Sequence, residues 1–113
     1  MIQIYHNPRC TKSRQGLALL EEAKVDFEII KYLDTPVQKE ELEEIISLLN
    51  LAPIQLVRKT EAIWKENFKG KELNDAEIIA AMVEFPKLIE RPIVINGNKA
   101  VIGRPTEKIS GIL

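Results

Sequence analysis

The chain has 113 residues, 45% apolar and 29% charged, with 16 Lys plus Arg against 17 Asp plus Glu. This balance describes one soluble globular domain, 1–113, long enough for a modest core without metal or disulfide staples. A net charge of −1 excludes nucleic-acid binding by bulk electrostatics, and no apolar run approaches the roughly 18 residues of a membrane span.

Ile2 to Tyr5 alternates apolar and polar and predicts a short strand. Pro8 then interrupts the chain, and Asn7 before it is pushed toward an extended conformation. From Thr11 the pattern turns helical, with Leu17, Leu20 and Ala23 as one stripe, to about Lys24. Val25 to Tyr32 alternates again, with Val25, Phe27 and Ile29 on one face, and completes a βαβ unit. Leu42, Ile45, Ile46 and Leu49 recur at helical spacing and predict an amphipathic helix from about Val37 to Asn50. Short helical turns follow at Pro53 to Val57 and Glu61 to Phe68. Asn74 or Asp75 caps the next helix, whose apolar face is Ile78, Ile79, Met82 and Val83, and Pro86 ends it. Pro92 to Ile95 is a third strand, Asn96-Gly97-Asn98 a hairpin turn and Ala100 to Ile102 a fourth, antiparallel strand. Thr106 then caps a short final helix reaching Leu113. The order predicts an α/β, thioredoxin-like fold. It has a mixed four-stranded sheet with helices on both faces and a helical insertion at about 38–85.

Cys10 is the only cysteine and His6 the only histidine. An internal disulfide and the common zinc sites are excluded by count, and no metal site is expected. The residues His6-Asn7-Pro8-Arg9-Cys10-Thr11-Lys12-Ser13-Arg14 concentrate the chemistry. A lone cysteine is most often an inert buried residue, but Cys10 stands where a loop becomes a helix. Free amides and the positive end of the helix dipole point there. Arg9, Lys12 and Arg14 add positive charge, and no acid precedes Glu21 within the helix. All of these favour thiolate, the reactive form. The same amides suit an oxyanion above the sulfur. His6 either stabilises the thiolate or satisfies a loop carbonyl. Ser13 takes the place of a resolving cysteine in Cys-x-x-Ser: its hydroxyl can donate to the thiolate but cannot resolve a mixed disulfide.

HNPRCTKSR, with LDTP at 33–36, LVRK at 56–59, ERPIV at 90–94 and GRP at 103–105, resembles the glutaredoxin-coupled arsenate reductases, the ArsC-like family. The resemblance implies that Cys10 is the catalytic thiolate and that Arg58, Arg91 and Arg104 bind the oxyanion. Guanidinium forks suit the paired oxygens of such an anion. Arg91-Pro92 resembles the cis-proline site of thioredoxin-like folds. The implied reaction is arsenate reduction with glutathione as cosubstrate and glutaredoxin as partner, with no bound cofactor. Two other readings stand beside it. One is a glutathione-linked thiol oxidoreductase; the other is an Spx-like transcription regulator binding RNA polymerase, which usually senses oxidation through Cys-x-x-Cys. The amino terminus carries neither region of a secretory signal, so a cytoplasmic monomer is expected, without nucleic acid or membrane partners.

Overall fold

A computed structural model describes residues 1–113. The chain forms two compact units, one from residues 1–35 and 91–113 and the other from residues 36–90.

The first unit holds the sheet. Strands β1 (Ile2–Tyr5), β2 (Phe27–Ile30), β3 (Ile93–Asn96) and β4 (Lys99–Ile102) lie in the order β2-β1-β3-β4. β1 pairs parallel with β2 and antiparallel with β3, and β3 pairs antiparallel with β4. Helix α1 (Thr11–Glu22) makes the crossover between the parallel strands, which a two-residue turn cannot join. A 3-10 segment, Thr106–Ile112, closes the unit. The register places Ile2, Ile4 and Val94 on one face. Leu20 of α1 and Ile109 and Ile112 of the 3-10 segment bury against that face. Asn96 donates to the Ile112 carbonyl at 2.6 Å, securing the end of the segment. The opposite face, with Tyr5, Ile93 and Ile95, is buried as well.

Several local expectations are corrected. β2 is shorter than Val25 to Tyr32, and Ile29, on this edge strand, is 43% exposed. Of the expected stripe of α1, Leu20 is buried and Leu17 packs partly buried against the core, while Ala23 is exposed; Ser13 and Gly16 complete the buried face. Asn96 pairs with Lys99 and so belongs to the strand. The hairpin turn is Gly97-Asn98, with positive φ only at Gly97 (φ 63), the pattern of a turn needing glycine at its first central position. Thr106 lies inside the final segment rather than capping it; Pro105 is the cap residue and makes no side-chain cap bond.

The second unit is helical: α2 (Lys39–Leu49), α3 (Ala62–Asn67) and α4 (Asp75–Glu84), with 3-10 turns at Pro53–Leu56 and Pro86–Leu88. Leu42, Ile45 and Ile46 form the buried face of α2. The helix ends in Asn50 at φ 56, one of the few residue types that tolerates this region. Asn74 caps α4 reciprocally with Glu77: the Glu77 amide donates to Asn74 Oδ1 at 2.9 Å and the Asn74 amide to Glu77 Oε1 at 3.0 Å. Ile78, Ile79, Ala81 and Met82 are its buried residues, while Val83 is half-exposed. No helix is long and apolar enough to cross a membrane.

Candidate active site

The loop after β1 is built by its own polar groups. The His6 amide donates to the Ile30 carbonyl at 2.9 Å, extending the parallel ladder by one residue. Asn7 Oδ1 accepts the Arg9 amide at 3.0 Å, and the Asn7 carbonyl accepts the Cys10 amide at 3.0 Å. This side-chain-to-backbone turn is what Asn supplies best. Cys10 then stands as the cap residue of α1 in extended conformation, its carbonyl accepting the Arg14 amide at 3.0 Å. No acid occupies the first turn of the helix.

The environment of the sulfur decides its charge. Burial pushes the Cys10 thiol up. The Ser13 amide, a hydrogen bond from Arg91, the charge of Arg91 and the Lys12 amide outweigh it, and the net direction is down. The neutral thiol makes no cap bond of full geometry; the amides at the second and third helical positions act by stabilising the anion. Arg104 Nη2 lies 3.5 Å from Cys10 Sγ. Arg104 Nε donates to the Arg91 carbonyl at 2.8 Å, so the two arginines are fixed to one another. Arg91 is buried at 8% exposure.

The arginines arrive on a tightly packed corner. Both Arg91-Pro92 and Arg104-Pro105 are cis, and the Gly103 amide donates to the Pro92 carbonyl at 2.8 Å. A Cβ on Gly103 would lie 2.9 Å from both Pro92 Cγ and Ile109 Cδ1. One on Gly16 of α1 would lie 2.9 Å from the same Pro92 carbon. Both glycines are therefore there for close approach: they let α1, Pro92 and the Arg104 loop meet beside Cys10.

The supporting residues divide. Ser13 is fully buried, and its hydroxyl serves the loop: Oγ accepts the Asn7 amide at 3.0 Å and lies 2.7 Å from His6 Nδ1. The expected hydroxyl bond to the thiolate is replaced by one from the Ser13 backbone amide. His6 is held below the ordinary imidazole range, first by burial and then by the charges of Lys31 and Arg14; its bond with Ser13 opposes the shift. A neutral His6 thus braces the loop through Ser13. Arg9, Thr11, Lys12 and Arg14 are exposed. Arg14 donates to the Pro8 carbonyl at 2.9 Å and to Thr11 Oγ1 at 3.2 Å, clasping the loop from outside. The charge acting on the sulfur is that of Arg91 rather than that of Arg9, Lys12 or Arg14.

Arg58 belongs to the helical unit. Its Nη1 lies 3.1 Å from Glu90 Oε1 and its Nε 3.6 Å from Glu61 Oε1. Sequence reasoning passed over Glu90, Asn7 and the two packing glycines. The only available signal for Glu90 was an acid directly preceding Arg91. No group of three or more His, Cys, Asp or Glu is placed to hold a metal ion.

Comparison with known proteins adds four findings. The model of the ArsC family matches residues 5–112. The chain is 43% identical over 114 aligned residues to YfgD of Escherichia coli K12, covering 99% of this chain and 96% of that protein. It is 42% identical to an arsenate reductase of Neisseria meningitidis, covering 99% and 97%. A solved arsenate reductase from Vibrio cholerae superposes with a TM-score of 0.94 at 45% identity, covering 99% of this chain and 97% of that one.

Proposed function

We propose, from the premise that this chain belongs to the ArsC family, that it is an oxidoreductase reducing arsenate through Cys10. The observation that carries the reading is the pair of guanidinium groups at one sulfur: Arg91 lowers the Cys10 pKa, and Arg104 Nη2 stands 3.5 Å from Sγ. A thiolate beside fixed cationic forks and free helix amides suits a nucleophile meeting a tetrahedral oxyanion. A dithiol redox site needs a second thiol, and Ser13 occupies that position.

The Cys10 thiolate forms an S–As bond to arsenate, and one arsenic hydroxyl leaves as water. Arg91 and Arg104 neutralise the negative charge that otherwise repels the thiolate. Arg58 is the third oxyanion ligand, by its match to the family motif LVRK at 56–59. Glutathione then forms a second S–As bond, with loss of another water. The thiolate of glutaredoxin attacks the glutathione sulfur, and the electron pair of that S–As bond remains on arsenic, taking As(V) to As(III). Water releases arsenite from Cys10, regenerating the thiolate, and the oxidised product is the mixed disulfide of glutaredoxin and glutathione. External thiols are required because Cys10 is the only thiol of the chain.

The test is arsenate-dependent NADPH oxidation with glutathione, glutaredoxin and glutathione reductase. Activity is expected only when all are present, and Cys10→Ser abolishes it. Equal NADPH oxidation with a small disulfide and no arsenate makes a glutathione-linked thiol oxidoreductase the better account.

A further inference from the structure

In the helical unit Arg58 is flanked by two carboxylates, Glu61 and Glu90, that the proposed reaction does not use. Val57 and Ile89 form an antiparallel bridge. On either side of it the Arg58 amide donates to the Leu88 carbonyl at 2.7 Å and the Glu90 amide to the Leu56 carbonyl at 2.8 Å. Arg58 thus stands opposite Leu88, and Glu90 is its diagonal neighbour on the same face, within reach for long side chains. The ion pair at 3.1 Å follows from that register. Glu61 comes to Arg58 Nε through the turn in which its amide donates to the Arg58 carbonyl at 3.2 Å. The three side chains are only 21%, 22% and 25% exposed, so solvent screens them incompletely.

One guanidinium therefore faces two carboxylates. Its Nη1 donates to Glu90, while its buried Nε makes no hydrogen bond and has Glu61 3.6 Å away, so an oxyanion seeking the two parallel N–H bonds of the Nη1–Nη2 end competes with Glu90. We propose that Glu90 is an internal counter-anion that competes with the substrate for Arg58 and thereby sets oxyanion selectivity. This rests on the reading of Arg58 as an oxyanion ligand. A singly charged anion such as chloride or acetate offers no more charge than the carboxylate it must displace. A multiply charged tetrahedral oxyanion offers more charge and two well-spaced oxygens. The device selects by penalising the wrong ligand as well as by attracting the right one. Glu90 acts through Arg58, as a positioning residue.

The test uses the full chain. Sulfate and arsenate binding are measured by titration calorimetry, and steady-state kinetics with arsenate are measured in parallel, for wild type, Glu90→Gln, Glu90→Asp and Arg58→Ala. Glu90→Gln keeps an oxygen acceptor and the size of the side chain but loses the charge. It is expected to bind sulfate and arsenate about three- to fivefold more tightly, the scale of a partly exposed ion pair. KM for arsenate falls by the same factor with kcat unchanged, and acetate becomes a measurable competitor. The gain shrinks at high ionic strength. Glu90→Asp, which keeps the charge, stays near wild type. Unchanged or weaker binding in Glu90→Gln, with binding still lost in Arg58→Ala, overturns the proposal and leaves the oxyanion site standing. Binding that is independent of Arg58 in both wild type and Glu90→Gln overturns the role of Arg58 and this proposal with it.

Discussion

Replacing Ser13 with Ala separates two accounts of the active loop. In the structure the hydroxyl of this fully buried residue accepts the Asn7 amide and lies 2.7 Å from His6 Nδ1, while its backbone amide serves the sulfur. The variant removes one oxygen and leaves two buried polar groups unpartnered, on residues exposed by only 4% (His6) and 7% (Asn7). Each orphaned group costs about 1–3 kcal/mol, so the loss is about 2–5 kcal/mol, allowing for local adjustment. The helix amide stays, so the thiolate keeps its stabilising bond. Urea unfolding reads the first quantity, and the rate of iodoacetamide alkylation against pH reads the second. The expected result is a large drop in stability with the alkylation midpoint nearly unmoved. Unchanged stability together with a midpoint raised by about a unit, or about 1.4 kcal/mol, refutes the reasoning and returns the hydroxyl to the sulfur.

Gly103→Ala forces a methyl group to within 2.9 Å of Pro92 Cγ and Ile109 Cδ1. It is expected to cost about 1–3 kcal/mol by overpacking, read as a lower denaturation midpoint, with turnover reduced through displaced Arg104. His6 is lowered in the folded chain, first by burial. The unfolded chain therefore takes the proton first, so this contribution to stability is complete above the ordinary imidazole pKa of about 6.5 and is lost as pH falls through the lower folded value. Stability measured from pH 7 downward is expected to decline over that window in wild type and more shallowly in His6→Asn.

The parts of this architecture that could be read from the sequence are the ones governed by local physics. The alternation at Ile2–Tyr5, the spacing of Leu42, Ile45 and Ile46, and the Asn74–Glu77 box each specify their element within a dozen residues. The placement of Cys10 at a helix start was readable for the same reason. Errors came where tertiary position decides. Ile29 has the same pattern as a buried residue, yet lies exposed on an edge strand. The hairpin register was settled by Asn96 pairing with Lys99, which the Asn-Gly dipeptide does not announce. The sulfur illustrates it most clearly. Arg9, Lys12 and Arg14 are close in sequence, but their side chains are exposed, and the Cys10 thiol is governed by Arg91 together with the helix amides. Arg104 reaches Sγ from 94 positions away, delivered by the β1–β3–β4 pairing and the corner at Pro92. Local periodicity carries no information about such convergence; only the resemblance to a family pointed to these arginines.

The central claim is that Arg91 and the start of α1 hold Cys10 as a thiolate, and the alkylation rate of this sole thiol against pH tests it most directly. The wild-type midpoint is expected below the free-thiol value of about 8.5, because the net shift is downward. Arg91→Gln, which removes the charge and the fork, is expected to move the midpoint upward, and Arg91→Lys, which keeps the charge and loses the fork, to move it less. A wild-type midpoint at or above about 8.5, or one indifferent to Arg91, contradicts the account.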